Sequence, residues 1–138
     1  MKITDVKAVL DLSYCIGNYG HYFTCLCIAA EKITKKNVDI LKTAQALIGN
    51  GCVDYDEKRP RAYRNSMYVC NPDNVLKYLG CKEHVEKVNK LPEDYKGIYI
   101  TRYTLNGKTD FVFPKYNLRT DSDVVKNGRI TAYYLIKQ

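Results

Sequence analysis

Gly97-Ile98-Tyr99-Ile100-Thr101-Arg102-Tyr103-Thr104-Leu105-Asn106-Gly107-Lys108-Thr109-Asp110-Phe111-Val112-Phe113 is the stretch whose reading decides the fold. Two runs rich in β-branched and aromatic residues flank Asn106-Gly107. That dipeptide takes up the positive φ angles of the two-residue turn whose twist matches paired strands. Pairing about the turn places Ile98, Ile100, Phe111 and Phe113 on one face as a core patch. Tyr99, Thr101, Tyr103 and Val112 share the other face. The second face is too aromatic to be left in water, so a helix or a subunit boundary must cover it, and a homo-oligomer is expected.

Working outward, Asn127-Gly128 repeats the turn signal and predicts a second hairpin, Val124-Val125 against Ile130-Thr131, with the last strand continuing through Tyr134 and Ile136. Upstream, Asn71-Pro72-Asp73 reads as a helix start: an N-cap, proline at the first helical position and an acid in the first turn. That helix carries Val75, Leu76 and Leu79 and stops near Gly80. A second short helix is expected to hold Val85, Val88 and Leu91 and to end at Pro92.

In the N-terminal third, residues 4–14 alternate apolar and polar, with Val6, Ala8, Leu10, Leu12 and Tyr14 on one side. This predicts a half-buried strand. After a turn containing Gly17 and Gly20, residues 21–30 return as a strand apolar on both faces. Thr34 is expected to cap one long helix reaching Ile48, stopped by Gly49-Asn50-Gly51. Residues 52–55 and 66–70 read as short strands. The resulting expectation is an α+β fold: a mostly antiparallel β-sheet with one long helix and a short helix pair packed on it, in a single domain spanning residues 1–138.

The length of 138 residues is enough to bury a core, and the 46% hydrophobic fraction is ordinary for a globular chain. No apolar run reaches membrane-spanning length, and residues 1–5 lack a signal-peptide hydrophobic region, so a cytoplasmic protein is expected. The six cysteines are scattered beside apolar segments, and Cys25 and Cys27 read as small buried hydrophobes. Free thiols are therefore expected over a disulfide framework.

A net charge of +7 favours polyanionic partners. Lys, Asn, Ile and Tyr are abundant and Trp is absent, a usage that points to an AT-rich genome, such as that of a low-GC bacterium, its phage or a virus. In such a lysine-rich chain a local concentration of arginine is the informative feature. Arg59, Arg61 and Arg64 are half of the six arginines and fall within six residues, beside Tyr63 and Asn65, on a segment braced by Pro60. The guanidinium fork matches phosphate oxygens, and tyrosine offers a flat face for a base. If the segment is extended, Arg59, Arg61 and Tyr63 share one side. Asp54, Asp56 and Glu57 nearly cancel its charge, which favours a local, shaped phosphate site over a diffuse basic surface. The bland alternative is a solvated loop whose arginines pair with those acids.

Thirteen tyrosines against three phenylalanines supply many rings with a polar tip. Tyr19, Asn18 and His21 cluster at the first glycine turn and are expected to form the second lip of the same ligand pocket.

Metal and catalytic motifs are not evident. No Cys-x-x-Cys or His/Cys pair stands at ligand spacing. Asp121-Ser122-Asp123 lacks the glycine and terminal glutamate of a calcium loop. No nucleophile elbow is present, and His21 and His84 do not form the repeated His-x-Ser/Thr pair of a two-histidine phosphodiesterase. Gly97-Ile98-Tyr99 matches the first half of the GIY-YIG nuclease signature, but Thr109-Asp110-Phe111-Val112 stands where the second half belongs, and that reading is rejected.

The sequence therefore predicts a small binding protein without cofactor, metal or catalytic residue. Its expected partner is a phosphate-bearing nucleotide or cyclic nucleotide, held by Arg59, Arg61, Tyr63, Arg64, Asn65, Asn18, Tyr19 and His21. A phage or mobile-element protein that sequesters a nucleotide signal or blocks a host defence factor fits that description. The alternatives are a nucleic-acid-binding protein using the same loop and a protein-binding inhibitor. A histidine-dependent phosphodiesterase or nuclease is the enzymatic alternative.

Overall fold

The computed structural model describes residues 3–55, 67–114 and 122–138. In chain order they form α1 (Ile3–Tyr19), α2 (His21–Thr34), α3 (Ile40–Gly49), β1 (Val53–Asp54), β2 (Tyr68–Val69), α4 (Pro72–Tyr78), β3 (His84–Val88), β4 (Ile98–Leu105), β5 (Lys108–Val112), α5 (Asp123–Asn127) and β6 (Arg129–Lys137). Four strands make an antiparallel sheet in the order β3-β6-β4-β5, and β1 and β2 pair as a separate antiparallel ribbon. The fold class is α+β, as expected.

The deciding hairpin forms as read. Asn106 and Gly107 both have positive φ (50° and 79°), and Leu105 pairs with Lys108. Ile100 and Phe113 are buried, and Ile98 and Phe111 pack against the same core. The opposite face is partly closed within the chain. Tyr95, Tyr99 and Tyr133 stack edge to face in series, and Leu135, opposite Tyr99, is buried.

The N-terminal hairpin does not form: residues 3–19 and 21–34 are helices. In α1 the residues that go inside are Leu12, Cys15 and Ile16, at helical spacing. The helix divides the alternating set read from the sequence: Leu12 turns inside, whereas Val6, Leu10 and Tyr14 stand four residues apart on the other face and remain exposed. In α2, Phe23 and the six residues 25–30 are all buried. A run that is apolar all round has no period to read, and it suits a helix surrounded by protein as well as a central strand.

Other corrections follow from capping and pairing. Thr34 ends α2 rather than starting a helix, and its Oγ1 donates to Ala30 O. The N-cap of α3 is Asp39, whose carboxylate accepts from Lys42 N at 3.0 Å. The long helices are thus α1 and α2, not a single one over residues 34–48. The expected short helix pair is half right. Asn71 caps α4 by accepting from Asn74 N, and Gly80 follows it with φ +91°. The second member is instead strand β3, with Val85 opposite Ile136 and Val88 opposite Tyr133. Asn127-Gly128 closes α5 rather than a hairpin, and β6 takes β3 and β4 as neighbours.

The core lies between the helices and one face of the sheet. Phe23, Leu26, Leu47, Val75, Leu76 and Ile100 are fully buried. Removing side chains of this size from water contributes about 1.5–3 kcal/mol each. Tyr22 on α2 joins Phe111 and Tyr134 at ring-centroid distances of 4.7 and 5.0 Å, fastening the start of α2 to β5 and β6.

Candidate functional site

The α1–α2 junction is set by close backbone approach. Gly20 N donates to Ile16 O, and a Cβ on Gly20 would stand 2.8 Å from Met67 Sδ and 2.9 Å from Ile16 O. Only glycine lets the second helix start where it does, directly against the residue that leads into β2. His21 follows as the first residue of α2, and its ring is thereby aimed across the gap between α2 and β5.

That ring makes two contacts. Nδ1 lies 2.5 Å from Asp110 Oδ1 on β5, and Nε2 lies 2.9 Å from Gly17 O near the end of α1. The carbonyl can only accept, so Nε2 carries a proton and donates it. Asp110 also accepts from its neighbour Phe111 N at 2.8 Å and receives a hydroxyl hydrogen bond from Ser122. Burial pushes the Asp110 carboxyl up. The hydrogen bond and charge of His21, with the Phe111 and Ser122 bonds, outweigh burial and hold it below its usual value. An ionised Asp110 accepts from Nδ1 as well, and when the ring carries both protons the two form an ion pair. The C-terminal carbonyls of α1 favour that cation, and the start of α2, which has no acid of its own in its first turn, favours the carboxylate.

Around this pair lies a cavity of about 640 Å³. Asn18, Tyr19 and His21 line it from the helix junction, Met67 and Tyr68 from the start of β2 and the residue before it, and Lys108 to Phe111 from β5, with Ser122 and Val124 at the start of α5. The volume falls within the range of small-ligand sites. Tyr19 and Tyr68 are exposed at 41% and 66%, so both rings are accessible at the cavity. Asn18 donates through Nδ2 to Tyr14 O, which orients its amide. Among the described residues the lining holds one lysine, Lys108, and one carboxylate, Asp110, whose charge His21 already offsets.

Three residues nominated from sequence, Asn18, Tyr19 and His21, therefore converge on one cavity. They do so at a helix–helix junction, not at a hairpin tip. The other five, Arg59, Arg61, Tyr63, Arg64 and Asn65, lie outside the described residues. Met67 and Tyr68, two and three residues after Asn65, line the cavity. Sequence reasoning missed Asp110, Lys108, Ser122 and Tyr68. A signal for Asp110 was present, because aspartate is depleted in strands and one set among Phe111, Val112 and Phe113 needs a partner.

A second cavity of about 570 Å³ lies at the far end of α2, where Lys32, Lys35 and Lys96 face Tyr95, Tyr99 and Phe113. No group of three His, Cys, Asp or Glu side chains is placed to hold a metal ion among the described residues. Among the same residues no helix is long and apolar enough to cross a membrane. No protein-family model matches this chain, no curated protein is significantly similar to it, and no solved structure matches its fold.

Proposed function

We propose that this chain is a small cytoplasmic binding protein, without catalysis, that captures a phosphate-bearing nucleotide in the cavity at the α1–α2 junction. The observation that carries the reading is the convergence of two accessible tyrosine rings, an oriented amide and Lys108 on one cavity of ligand size. A base stacks on Tyr19 or Tyr68, and the phosphate meets Lys108. The arginines of residues 59–64 are assigned to the same ligand from their chemistry and from their position just before Met67. The engagement of both His21 ring nitrogens favours capture over turnover, because a ring with no vacant nitrogen is not poised to take a proton.

A nucleic-acid ligand is the second reading, favoured by the lysine-lined cavity at the other end of α2. A 14-residue helix spans about 21 Å, several nucleotides of an extended strand, so two cationic cavities at its ends suit phosphates several nucleotides apart. Self-association fits either reading, since Val6, Leu10 and Tyr14 leave an apolar stripe on α1.

A thermal-shift screen of mononucleotides, cyclic nucleotides, dinucleotides and short oligonucleotides tests the proposal. A ligand at 100 times its Kd stabilises the fold by about 2.7 kcal/mol. Lys108→Ala, Tyr68→Ala and Arg61→Ala should each weaken a ligand found this way, and the ligand should be recovered unmodified. If no compound shifts Tm, or these three variants bind as tightly as the parent, the assignment is wrong. Affinity that falls steeply with salt, with a slope set by the number of phosphates contacted, identifies a strand rather than an enclosed nucleotide.

A further inference from the structure

The six cysteines are free thiols, but they are not equivalent. Cys15, Cys25, Cys27, Cys52 and Cys81 are buried, and Cys70 is exposed. The β1–β2 register pairs Val53 with Val69 and Asp54 with Tyr68, so the next pair along the ribbon is Cys52 and Cys70. Cys70 N donates to Cys52 O at 2.8 Å, which continues the ladder through that pair. Strand alternation fixes the direction of the side chains. Val53 and Val69 turn inward and are buried, whereas Asp54 and Tyr68 turn outward and are exposed. Cys52 and Cys70 come next in the register on the side of Asp54 and Tyr68, where Cys70 is exposed and Cys52 is covered, at 8% exposure, as part of the core.

Directly opposed residues that share a ladder hydrogen bond have Cα atoms roughly 5.5 Å apart. That is within the roughly 4.4–6.8 Å window of a disulfide. The pair is also less constrained than a regular one. Cys52 N does not return a bond to Cys70, but turns away to Leu47 O at 2.9 Å and Asn50 Oδ1 at 3.1 Å. One bond rather than two leaves the ribbon end free to twist and bring the Cβ atoms together.

We propose that Cys52 and Cys70 are an oxidation site, closing an intramolecular disulfide when the chain meets a peroxide. The accessible partner reacts first. The Cys70 thiolate attacks one oxygen of hydrogen peroxide, the O–O bond breaks, and hydroxide leaves, giving a Cys70 sulfenic acid. The Cys52 sulfur then attacks the Cys70 sulfur, the S–O bond breaks, and the oxygen leaves as water with the thiol proton. In total two thiols lose two electrons and two protons, and one peroxide becomes two waters. The cross-link ties β1 to β2 beside Tyr68. Three of the other buried thiols are poor competitors: burial pushes the Cys27 thiol up to about 12, and Cys25 and Cys81 are raised by the same cause.

The test exposes the reduced, folded protein to hydrogen peroxide, blocks remaining thiols with an alkylating agent and maps the products by peptide mass spectrometry. The expected product is a monomer lighter by two hydrogens, with the Cys52 and Cys70 peptides joined and the link removed by dithiothreitol. Cys70→Ser should abolish it. Cys52→Ser should leave Cys70 as a sulfenic acid trapped by dimedone, and Cys81→Ser should leave the cross-link unchanged. Four outcomes overturn the proposal. They are a link involving any other pair, a Cys70–Cys70 dimer as the main product, Cys70 oxidised with Cys52 still alkylatable, and no link at all.

Discussion

Replacing Asp110 with asparagine tests the centre of the site without changing its shape. The amide keeps an oxygen that accepts from His21 Nδ1 and Phe111 N, so what is lost is the negative charge. The side chains of His21 and Asp110 are 23% and 11% exposed, so the pair belongs between two regimes. Exposed ion pairs contribute up to about 1 kcal/mol, and breaking a fully buried one costs about 3–5 kcal/mol. A loss of about 2 kcal/mol is expected. For a chain of this length, with an unfolding entropy near 2.1 cal/mol/K per residue, that lowers Tm by about 7 °C. The measurement belongs at about pH 5.5, below the ordinary histidine value and above the ordinary carboxyl value. A cycle with His21→Asn and the double variant isolates the coupling between the two residues. The pH dependence follows from the lowered Asp110 value. A carboxyl depressed on folding contributes its full stability above its unfolded value of about 3.9 and loses it as pH falls through the folded value. The Tm gap between parent and Asp110→Asn should therefore hold down to about pH 4 and close below it. A gap under about 2 °C at pH 5.5, or additive single variants, would refute the ion pair.

Two glycines three residues apart should respond oppositely to alanine. Gly20→Ala forces a Cβ against Met67 Sδ and Ile16 O and should cost about 1–3 kcal/mol by chemical denaturation. Gly17→Ala meets nothing within 4 Å in the last turn of α1 and should gain up to about 1 kcal/mol, so a loss there would contradict the helix over residues 3–19. Tyr22 Oη is buried without a hydrogen-bond partner among the described residues, and burial raises its phenol. Tyr22→Phe should be neutral or stabilising by up to about 1 kcal/mol, the reverse of an ordinary buried tyrosine. A clear destabilisation would show that the hydroxyl is satisfied.

What could be read from sequence was what local chemistry decides. Asn106-Gly107 lies between two strands, and Asn71-Pro72-Asp73 carries its own cap, so both were legible. The same Asn-Gly dipeptide at 127–128 misled because its backbone differs. Gly128 has φ −81°, and glycine is needed there for a different reason: a Cβ would collide with Val124 O and stand 2.7 Å from Thr104 O. Ser122 and Asp123 start a short helix there instead. Residues 21–30 misled because burial on every side erases periodicity, and only the neighbours of α2 decide between helix and strand. Val85 and Val88 fit helical spacing, but pairing with β6 overrode it.

The change from hairpin to helix junction also alters what the site is. On a hairpin tip, His21 would stand in water with both nitrogens available for proton transfer. At the start of α2 its ring reaches back to Gly17 O and across 89 residues of sequence to Asp110, and both nitrogens are occupied. The sequence grouped Asn18, Tyr19 and His21, which line one cavity, but could not supply Asp110, because the contact exists only once α2 lies against β5. That contact fixes the electrostatics. With the carboxylate offset by the imidazolium, and further satisfied by Phe111 and Ser122, the charge left over in the described lining is that of Lys108. An anion approaching between Tyr19 and Tyr68 then meets a cation that Asp110 does not cancel. Breaking the pair should therefore do more than destabilise the fold. Asp110→Asn leaves His21 as an extra positive charge beside Lys108, so a phosphate-bearing ligand should bind it at least as tightly as the parent at pH 5.5, despite the lower Tm. Weaker binding, measured by calorimetry well below the melting transition, would mean that the ligand uses the Asp110 carboxylate directly and is not recognised through its phosphate.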